Sequence, residues 1–432
     1  MELTGLSDLY NDFISEQHFI SSVKDNIGIY DVNIYTVQME EDIDLLEYIL
    51  NNIYSGKDFL KRRGISISES LNTLRARIKS VKSMNKVDFF RLLCSALDDI
   101  KDSHLVFSLP YFKNIHQFCR HNTVYFADIT LQKDSGGYFI LSSQDSSVKC
   151  GERVIIEEDY LFRTVDGKFL YGVFSEKPIK TITCNITGEK VQLNVLPSPL
   201  RPIKNNDLWS HENCNGIDIV TIYSLCAFSV DEEQKLEELV ALGKVLKESK
   251  KIILDLRGNR GGDSEIARRF IENLNGSAYM NLNYAKLNTQ GSRLAEISLY
   301  AEDFDSYRKV KEEIFLDPVC KWQCSESNFI CDGQYKNQLV VLTDRHTASS
   351  AEIMLKCIKD NIPQSVIIGE NTSGTLSTGD IRHYYLPNSL IFLDVPTAIF
   401  ADILEEGTGF CPDFWDKDDA MQSAIDFLSQ KN

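Results

Sequence analysis

The hexapeptide Thr347-Ala348-Ser349-Ser350-Ala351-Glu352 joins two segments of different periodicity. The apolar run at 338–342 predicts a buried strand before it, and the apolar spacing at 353–358 predicts a helix after it. A serine on such a tight corner presents its hydroxyl, and the N–H groups at the helix start can stabilise an oxyanion. Glu352 lies three residues after Ser349, so the stretch also fits a capping box. Taken alone, the stretch does not decide between a nucleophile and a helix cap.

The 432 residues are enough for two or three domains. With 43% hydrophobic and 25% charged residues, the composition is that of an ordinary globular protein. The net charge of −17 argues against nucleic acid and anionic membrane as partners. The chain shows neither a basic leader nor an apolar run of the roughly 20 residues that a membrane helix needs. We therefore expect a cytoplasmic protein without a membrane segment.

Eleven cysteines are scattered along the chain. Their odd number favours free thiols in a reducing compartment over a disulfide framework. Cys320, Cys324 and Cys331 form a cluster, but their spacing fits no common zinc pattern. We expect no metal and no other cofactor.

Periodicity divides the chain into three stretches. Residues 1–105 predict a helical region that ends in the Asp102-Ser103-His104 element, where we expect a polar loop. Residues 106–200 predict a small β-rich module, and a faint likeness of 150–155 to a PDZ strand leaves a PDZ domain open there. Residues 205–432 alternate strand with helix, which predicts an α/β core: a twisted, largely parallel sheet flanked by helices. An insertion or lid interrupts this core at about 280–335, where aromatic and charged residues break the alternation.

A second informative stretch, Asp255-Leu256-Arg257-Gly258-Asn259-Arg260-Gly261-Gly262, follows a predicted strand and opens a helix. Its glycine spacing fits neither the dinucleotide fingerprint nor a Walker loop, which disfavours a nucleotide site. Glycine lets bare backbone N–H groups approach a substrate carbonyl closely. We expect Asp255 and Arg257 to form an internal structural pair.

Together these stretches resemble the signature of the tail-specific, or C-terminal processing, serine peptidases. Further similarities follow in family order at Asp102-Ser103-His104, at 369–374 (Gly-Glu-Asn-Thr-Ser-Gly) and at 406–413 (Glu-Gly-Thr-Gly-Phe-Cys-Pro-Asp). The lysine-dyad branch of the family has a lysine where this chain has Gly374. The chain therefore resembles the histidine-base branch, which includes the tricorn core protease and the nisin resistance protein.

The resemblance implies a role for each site residue. Ser349 would be the nucleophile and His104 its general base, with Glu406 orienting the imidazole and Ser103 assisting. The oxyanion hole would consist of the backbone N–H groups of Ser350 and of Gly261 or Gly262. An imidazole that titrates near neutrality can accept a serine proton, and a carboxylate can fix its tautomer.

Several alternatives stay open among these residues. Ser350 could replace Ser349 as nucleophile, and Glu405 could replace Glu406. His346 fits a surface residue or a substrate contact, and His383 fits a structural residue within a strand pattern.

The function expected from the resemblance is hydrolysis of peptide bonds through an acyl-enzyme, without metal or cofactor. The partner would be a peptide or protein substrate, such as a peptide or an unfolded C-terminal segment. Two other functions remain: a non-catalytic ligand- or peptide-binding module on the same fold, and a serine acyl hydrolase with a non-peptide substrate.

Overall fold

The computed structural model describes residues 33–109, 113–119, 121–156, 160–197, 207–278, 283–300, 309, 311–314, 321–325, 335–401, 406–416 and 418–430. They form two compact units, each assembled from three stretches of the chain. Unit 1 lies within 1–119, 282–326 and 377–403, and unit 2 within 120–281, 327–376 and 404–432. The predicted domain boundaries, 1–105, 106–200 and 205–432, stay a prediction. In the structure, residues within 282–326 and 377–403 belong to the same compact unit as the N-terminal stretch.

The helices, in chain order, are α1 Thr36–Asn52, α2 Lys57–Arg62, α3 Ile67–Ile78, α4 Lys86–Ala96, α5 Val230–Leu246, α6 Ser264–Asn275, α7 Gln290–Tyr300, α8 Ser350–Asn361 and α9 Ala420–Gln430. None of these described helices combines the length and the apolar character needed to cross a membrane.

The strands are β1 Asn33–Tyr35, β2 Ser83–Asn85, β3 Asp102–Leu109, β4 Asn114–Phe118, β5 Thr123–Asp134, β6 Gly137–Ser143, β7 Arg153–Ile155, β8 Leu161–Arg163, β9 Phe169–Ser175, β10 Thr181–Ile186, β11 Glu189–Pro197, β12 Trp209–Cys214, β13 Ile217–Ile222, β14 Lys251–Asp255, β15 Asn283–Asn288, β16 Lys321–Ser325, β17 Gln338–Thr343, β18 Val366–Gly369, β19 Thr378–Tyr385, β20 Phe392–Ala401 and β21 Phe414–Trp415.

Helices α1 to α4 confirm the helical prediction for the described part of the N-terminal stretch. Side-chain caps begin two of them: Ser66 accepts from the N–H of Glu69 at 3.3 Å, and Asn85 accepts from the N–H of Val87 at 2.8 Å. Such caps satisfy N–H groups that lack a partner within the helix. The apolar faces of the helices share one core with the sheet of unit 1.

The sheet of unit 1 has the order β16-β15-β20-β3-β4, with β19 also paired to β20. The polar loop predicted at the Asp102-Ser103-His104 element is wrong, because β3 begins at Asp102. Hydrophobic periodicity missed this strand because its first three residues are polar and buried. Strand β20 pairs antiparallel with β3 and therefore lies outside the parallel sheet. The described parts of the predicted insertion supply β15, α7 and β16.

The central sheet of unit 2 has the order β12-β13-β14-β17-β18-β21. Every neighbouring pair is parallel except β12–β13, so the largely parallel sheet is confirmed. In β17, Leu339 and Val341 pack toward α5, α6 and α8, while Val340 and Leu342 pack toward α9. Alternate residues of a strand point to opposite faces, so helices cover this sheet on both sides. The fold is α/β, as predicted.

The β-rich stretch forms a seven-stranded antiparallel sheet with the order β11-β10-β7-β6-β5-β9-β8. An additional pairing of β11 with β5 closes five of these strands into a ring. The possibility of a PDZ domain, which the sequence left open for residues 106–200, is not decided by this sheet.

Candidate active site

Ser349 occupies the corner between β17 and α8, with φ 53° and ψ −122°. A non-glycine residue in such a conformation stores of the order of 1–3 kcal/mol of strain, and strain of this kind collects at functional sites. Its neighbour Ser350 is buried, and the Ser350 hydroxyl donates to the carbonyl of Gly262 at 2.6 Å. Ser349 is half-buried. The geometry favours Ser349 over Ser350 as the nucleophile, because a backbone acceptor already holds the Ser350 hydroxyl.

The carboxylate of Glu352 is fully buried at 0% exposure and accepts four hydrogen bonds. Its Oε2 accepts from the N–H groups of Ser349 at 3.0 Å and Thr375 at 2.9 Å. Its Oε1 accepts from the N–H of Gly374 at 2.8 Å and the hydroxyl of Thr372 at 2.5 Å. The capping interaction between Glu352 and Ser349, which the sequence left open, is therefore present. The other three donors to the Glu352 carboxylate belong to the turn after β18. Glu352 ties the corner that carries Ser349 to that turn.

Burial raises the pKa of Glu352 to about 7, although all four hydrogen bonds lower it. A charged carboxylate loses its hydration when it is buried, so burial stabilises the protonated form relative to the charged form. The group that holds the backbone of Ser349 thus titrates near neutrality.

The glycine turn lies directly against the corner that carries Ser349. The N–H of Ala348 donates to the carbonyl of Asn259 at 2.9 Å. Gly261 has φ 98°, and a Cβ added there would lie 2.7 Å from the backbone nitrogen of Ser350 and 3.0 Å from Cβ of Ser349. Real Cβ atoms do not approach backbone this closely, so the position requires glycine.

The predicted oxyanion donors differ in their hydrogen bonds. The N–H of Gly261 donates to Oδ1 of Asn259 at 2.8 Å. Among the residues that the structure describes, no acceptor binds the N–H of Ser350 or of Gly262. Of the two predicted glycines, Gly262 is thus the one whose N–H is not used within the turn.

Asp255 and Arg257 form the expected internal pair. The guanidinium donates to both carboxylate oxygens, at 2.7 Å and 2.5 Å. Both side chains are largely buried, at 8% and 9% exposure. A bidentate pair at the end of β14 fixes the start of the glycine turn.

Glu406 begins a turn that is hydrogen-bonded to the turn held by Glu352. The N–H of Gly407 donates to the carbonyl of Gly374 at 2.9 Å, and the N–H of Phe410 donates to the hydroxyl of Thr372 at 2.7 Å. Thr372 therefore accepts from one turn and donates to Glu352. The alternative residue, Glu405, lies outside the described residues.

The charge of Glu406 acts on His121, a histidine that the sequence did not single out. Nδ1 of His121 lies 2.8 Å from the carbonyl oxygen of Ser373, whose N–H donates to the carbonyl of Thr347 at 2.8 Å. Burial lowers the pKa of His121, while the hydrogen bond to Ser373 and the charge of Glu406 raise it. The charge of Arg260 lowers it further. His121 belongs to the same compact unit as Ser349. It stands alone outside every motif, so no signal in the sequence marks it.

The Asp102-Ser103-His104 element lies in unit 1, at the start of β3. Asp102 is 1% exposed, and its carboxylate accepts from the hydroxyls of Tyr54 and Thr378, both at 2.7 Å. It also accepts from the N–H of His104 at 2.9 Å. Ser103 and His104 are themselves buried. The aspartate of the motif is thus a backbone anchor for the predicted base.

Two other histidines have distinct settings. His383 in β19 pairs with Asp394 in β20, with Nδ1 2.7 Å from Oδ1. Its position in a strand is confirmed, and its structural role stays a prediction. His346 is half-buried beside Asp344, whose Oδ1 accepts from the His346 N–H at 2.9 Å. Burial lowers the pKa of His346, and Asp344 opposes this effect.

The cysteine cluster contributes one described residue, Cys324, an exposed thiol in β16. Cys320 and Cys331 lie outside the described residues. Within the part of the chain that the structure describes, no three His, Cys, Asp or Glu side chains converge in the manner of metal ligands.

Residues 219–410 match the model of peptidase family S41. Over this range the chain is similar to the serine-type peptidases of family S41. The matched range contains Ser349, the glycine turn and Glu406, whereas His104 and His121 precede it.

No curated protein sequence matches this chain. Solved structures to which it is similar include mature CPAF, 12% identical, with 91% of this chain and 95% of that chain covered and a TM-score of 0.46. A putative peptidase from Parabacteroides merdae is 14% identical, with 91% and 98% covered and a TM-score of 0.47. The tricorn protease is 13% identical, with 91% and 36% covered and a TM-score of 0.40.

Proposed function

We propose that this protein cleaves peptide bonds through an acyl-enzyme formed on Ser349. The observation that carries the proposal is the corner itself: a serine with positive φ at a helix start, packed against a turn that only glycine permits. In this proposal the Ser349 hydroxyl attacks the peptide carbonyl, and the backbone N–H groups of Ser350 and Gly262 are the oxyanion donors. Such donors stabilise the negative charge that develops on a carbonyl oxygen during attack.

In the proposed mechanism, His104 accepts the proton of the Ser349 hydroxyl as the oxygen attacks the peptide carbonyl. The imidazolium then gives that proton to the leaving amine, and the same histidine activates the water that hydrolyses the acyl-enzyme. Glu406 orients the imidazole, and Ser103 assists through its hydroxyl. Asp102 supports the assignment of His104, because it fixes the backbone of the predicted base.

The substrates we propose are peptides and unfolded or C-terminal segments of proteins. The insertion at about 280–335 would limit access by folded proteins, since an extended chain is the form that enters a confined site most readily. The cytoplasmic location expected from the sequence stays a prediction.

The test is mass spectrometry of a diverse peptide mixture incubated with the wild type, Ser349→Ala and Ser350→Ala. We expect new peptide ends with the wild type and Ser350→Ala and none with Ser349→Ala. Removal of a catalytic nucleophile costs about 10⁶-fold in turnover in serine peptidases. Cleavage by Ser349→Ala at the wild-type rate would refute the assignment. Hydrolysis of esters without any cleaved peptide would favour the acyl hydrolase.

The choice of base needs its own variants, because His121 lies in the field of Glu406. His104→Ala should lose activity, whereas His121→Ala and the structural control His383→Ala should keep most of it. An inactive His121→Ala beside an active His104→Ala would transfer the role of base to His121.

A further inference from the structure

The sequence contains two Asn-Gly pairs, Asn215-Gly216 and Asn275-Gly276. In such a pair the backbone nitrogen of the glycine can attack the side-chain amide of the asparagine, because glycine has no Cβ to obstruct the approach. Asparagine is for this reason one of the heat-labile residues of proteins. The fold decides which pair can react, since the attack needs a free side-chain amide and a backbone that can rearrange.

Asn215 and Gly216 form the turn of the hairpin that joins β12 to β13. The last pair of the ladder is Cys214 with Ile217, so the loop has two residues. Asn215 has φ 51° and Gly216 has φ 80°, the positive values that a type I′ turn requires at both central positions. Both residues are exposed. The first Asn-Gly pair therefore lies at the tip of a hairpin, in contact with solvent.

The reacting groups of this turn have few contacts. Among the residues that the structure describes, none is hydrogen-bonded to the side-chain amide of Asn215. The N–H of Gly216 takes no part in the strand ladder and donates to Oδ1 of Asn213, itself exposed, at 3.2 Å. A Cβ added at Gly216 would meet nothing within 4 Å, so the space around the nitrogen is open. Exposed loop tips of this kind rearrange readily.

The second pair is enclosed at the end of α6. Asn275 is 0% exposed. Its Nδ2 donates to the carbonyl of Ser277 at 3.0 Å, and its Oδ1 accepts from the N–H of Tyr335 at 3.0 Å. The N–H of Gly276 donates to the carbonyl of Glu272 at 2.8 Å and closes the helix. Attack at Asn275 would have to break all three hydrogen bonds.

We propose that Asn215 is a site of spontaneous deamidation and isomerisation in the folded protein, and that Asn275 is protected. The nitrogen of Gly216 attacks Cγ of Asn215 and forms a C–N bond. The side-chain nitrogen leaves as ammonia, which carries away the proton of the Gly216 N–H. Water then opens the cyclic imide at either carbonyl and yields aspartate or isoaspartate. The modification needs no reactant besides water.

The two products should differ in their effect on the hairpin. Asp-Gly suits a type I′ turn as Asn-Gly does, so the aspartate form keeps the turn. Isoaspartate places the side-chain methylene in the main chain, and the lengthened turn no longer closes the pair of Cys214 and Ile217. Strand β12 stands at the edge of the sheet, with β13 as its partner among the described strands. Because the turn sets the register of a hairpin, we expect the isoaspartate form to loosen β12.

The test follows both pairs in the full chain. The protein is incubated at mildly alkaline pH in heavy-oxygen water, sampled over time and digested, and the peptides that contain Asn215 and Asn275 are measured by mass spectrometry. A parallel sample in urea gives the rates without the fold. Asn215→Gly is the matched variant, because it removes the reactive amide while Gly-Gly still suits the turn.

We expect the Asn215 peptide to gain about 1 Da beyond the incorporated label and to accept a methyl group from an isoaspartyl methyltransferase. In the folded chain Asn275 should react at least about tenfold more slowly, because a local opening of the helix end must come first. In urea the two asparagines should react at similar rates, and Asn215→Gly should give no methyl-accepting peptide from the turn. Equal rates at both asparagines in the folded chain, or reaction of Asn215 in urea alone, would overturn the proposal.

Backbone hydrogen exchange tests the loosening of β12. The isoaspartate form, separated from aged protein, is compared with freshly prepared Asn215→Asp, which carries the same charge on an unaltered main chain. Faster exchange over 209–214 in the isoaspartate form supports the loss of register. Equal exchange in the two proteins would overturn that part of the inference.

Discussion

The carboxylate of Glu352 accepts a hydrogen bond from the backbone N–H of Ser349 at 3.0 Å. Its three other donors come from Thr372, Gly374 and Thr375, so one buried group holds the corner of Ser349 and a distant turn together. A residue in a strained conformation persists only where its surroundings fix it, and here Glu352 supplies part of that fixation.

Replacing Glu352 by Gln should lower turnover without a comparable change in KM. The amide keeps the size of the side chain but offers one acceptor oxygen in place of two, so part of the four-donor arrangement is lost. Small displacements of a nucleophile cost up to about 10²-fold, and we expect a 10- to 100-fold lower kcat. Steady-state kinetics on a cleaved peptide measures it. Glu233→Gln, at an exposed first-turn position of α5, is the matched control. Equal kcat values for both variants would contradict the role of Glu352.

The stability of the protein should depend on pH through the same group. The pKa of Glu352 is raised from 4.5 to about 7, so the folded state holds the proton more tightly than the unfolded state does. This contribution is complete below the unfolded pKa and is lost as the pH rises through about 7. We expect the free energy of unfolding to lose about 3 kcal/mol through this group between pH 4 and pH 8. Urea titrations of the wild type and Glu352→Gln should diverge across this range; parallel curves would rule the effect out.

Asp102→Asn should destabilise the protein. The carboxylate accepts from two hydroxyls and from the backbone N–H of His104, and an amide cannot accept on its nitrogen side. A buried donor left without an acceptor costs about 1–3 kcal/mol, so we expect a loss of about 2–4 kcal/mol in the free energy of unfolding. Chemical denaturation measures it. Asp99→Asn, exposed three residues earlier, should stay within about 0.5 kcal/mol of the wild type. Equal losses in the two variants would contradict the anchoring role.

Gly261→Ala and Gly64→Ala separate backbone strain from steric conflict. Both glycines have positive φ, but a Cβ at Gly64 meets nothing within 4 Å, whereas one at Gly261 meets Ser350 and Ala348 at 2.7 Å and 2.9 Å. Strain alone costs about 1–2 kcal/mol, which we expect at Gly64 with unchanged activity. At Gly261 we expect a larger loss of stability and at least about tenfold lower activity, because the corner must move. Similar effects at both sites would show that the close approach is unimportant.

The elements that carry the site could be predicted from the sequence because their signals are local. Apolar periodicity located β14, β17 and α8, and the small residues between strand and helix located the corner of Ser349. The partners of those residues could not be predicted in the same way. The donors that meet Glu352 lie about 20 residues further along the chain, and Thr378 meets Asp102 across 276 residues. No periodic pattern records such pairs.

Buried polar residues also conceal elements from hydropathy. Strand β3 begins with three buried polar residues, so hydropathy predicts a loop at its first residues. His121 has no motif around it, and its place beside the corner of Ser349 depends on Ser373, 252 residues away.

Each compact unit is assembled from three segments of the chain, and this has a consequence for folding during synthesis on the ribosome. Strand β20 lies between β15 and β3, and it is made only when residues 392–401 have been synthesised. Until then β3 and β15 each have an edge without the neighbour that later covers it, and unpaired edges are templates for aggregation. Unit 2 likewise needs its last segment, which begins at residue 404. A nascent chain of this protein must therefore wait for residues 392–401 before unit 1 can close, and for the segment from residue 404 before unit 2 can close. It should depend on chaperones that shield strand edges during that wait.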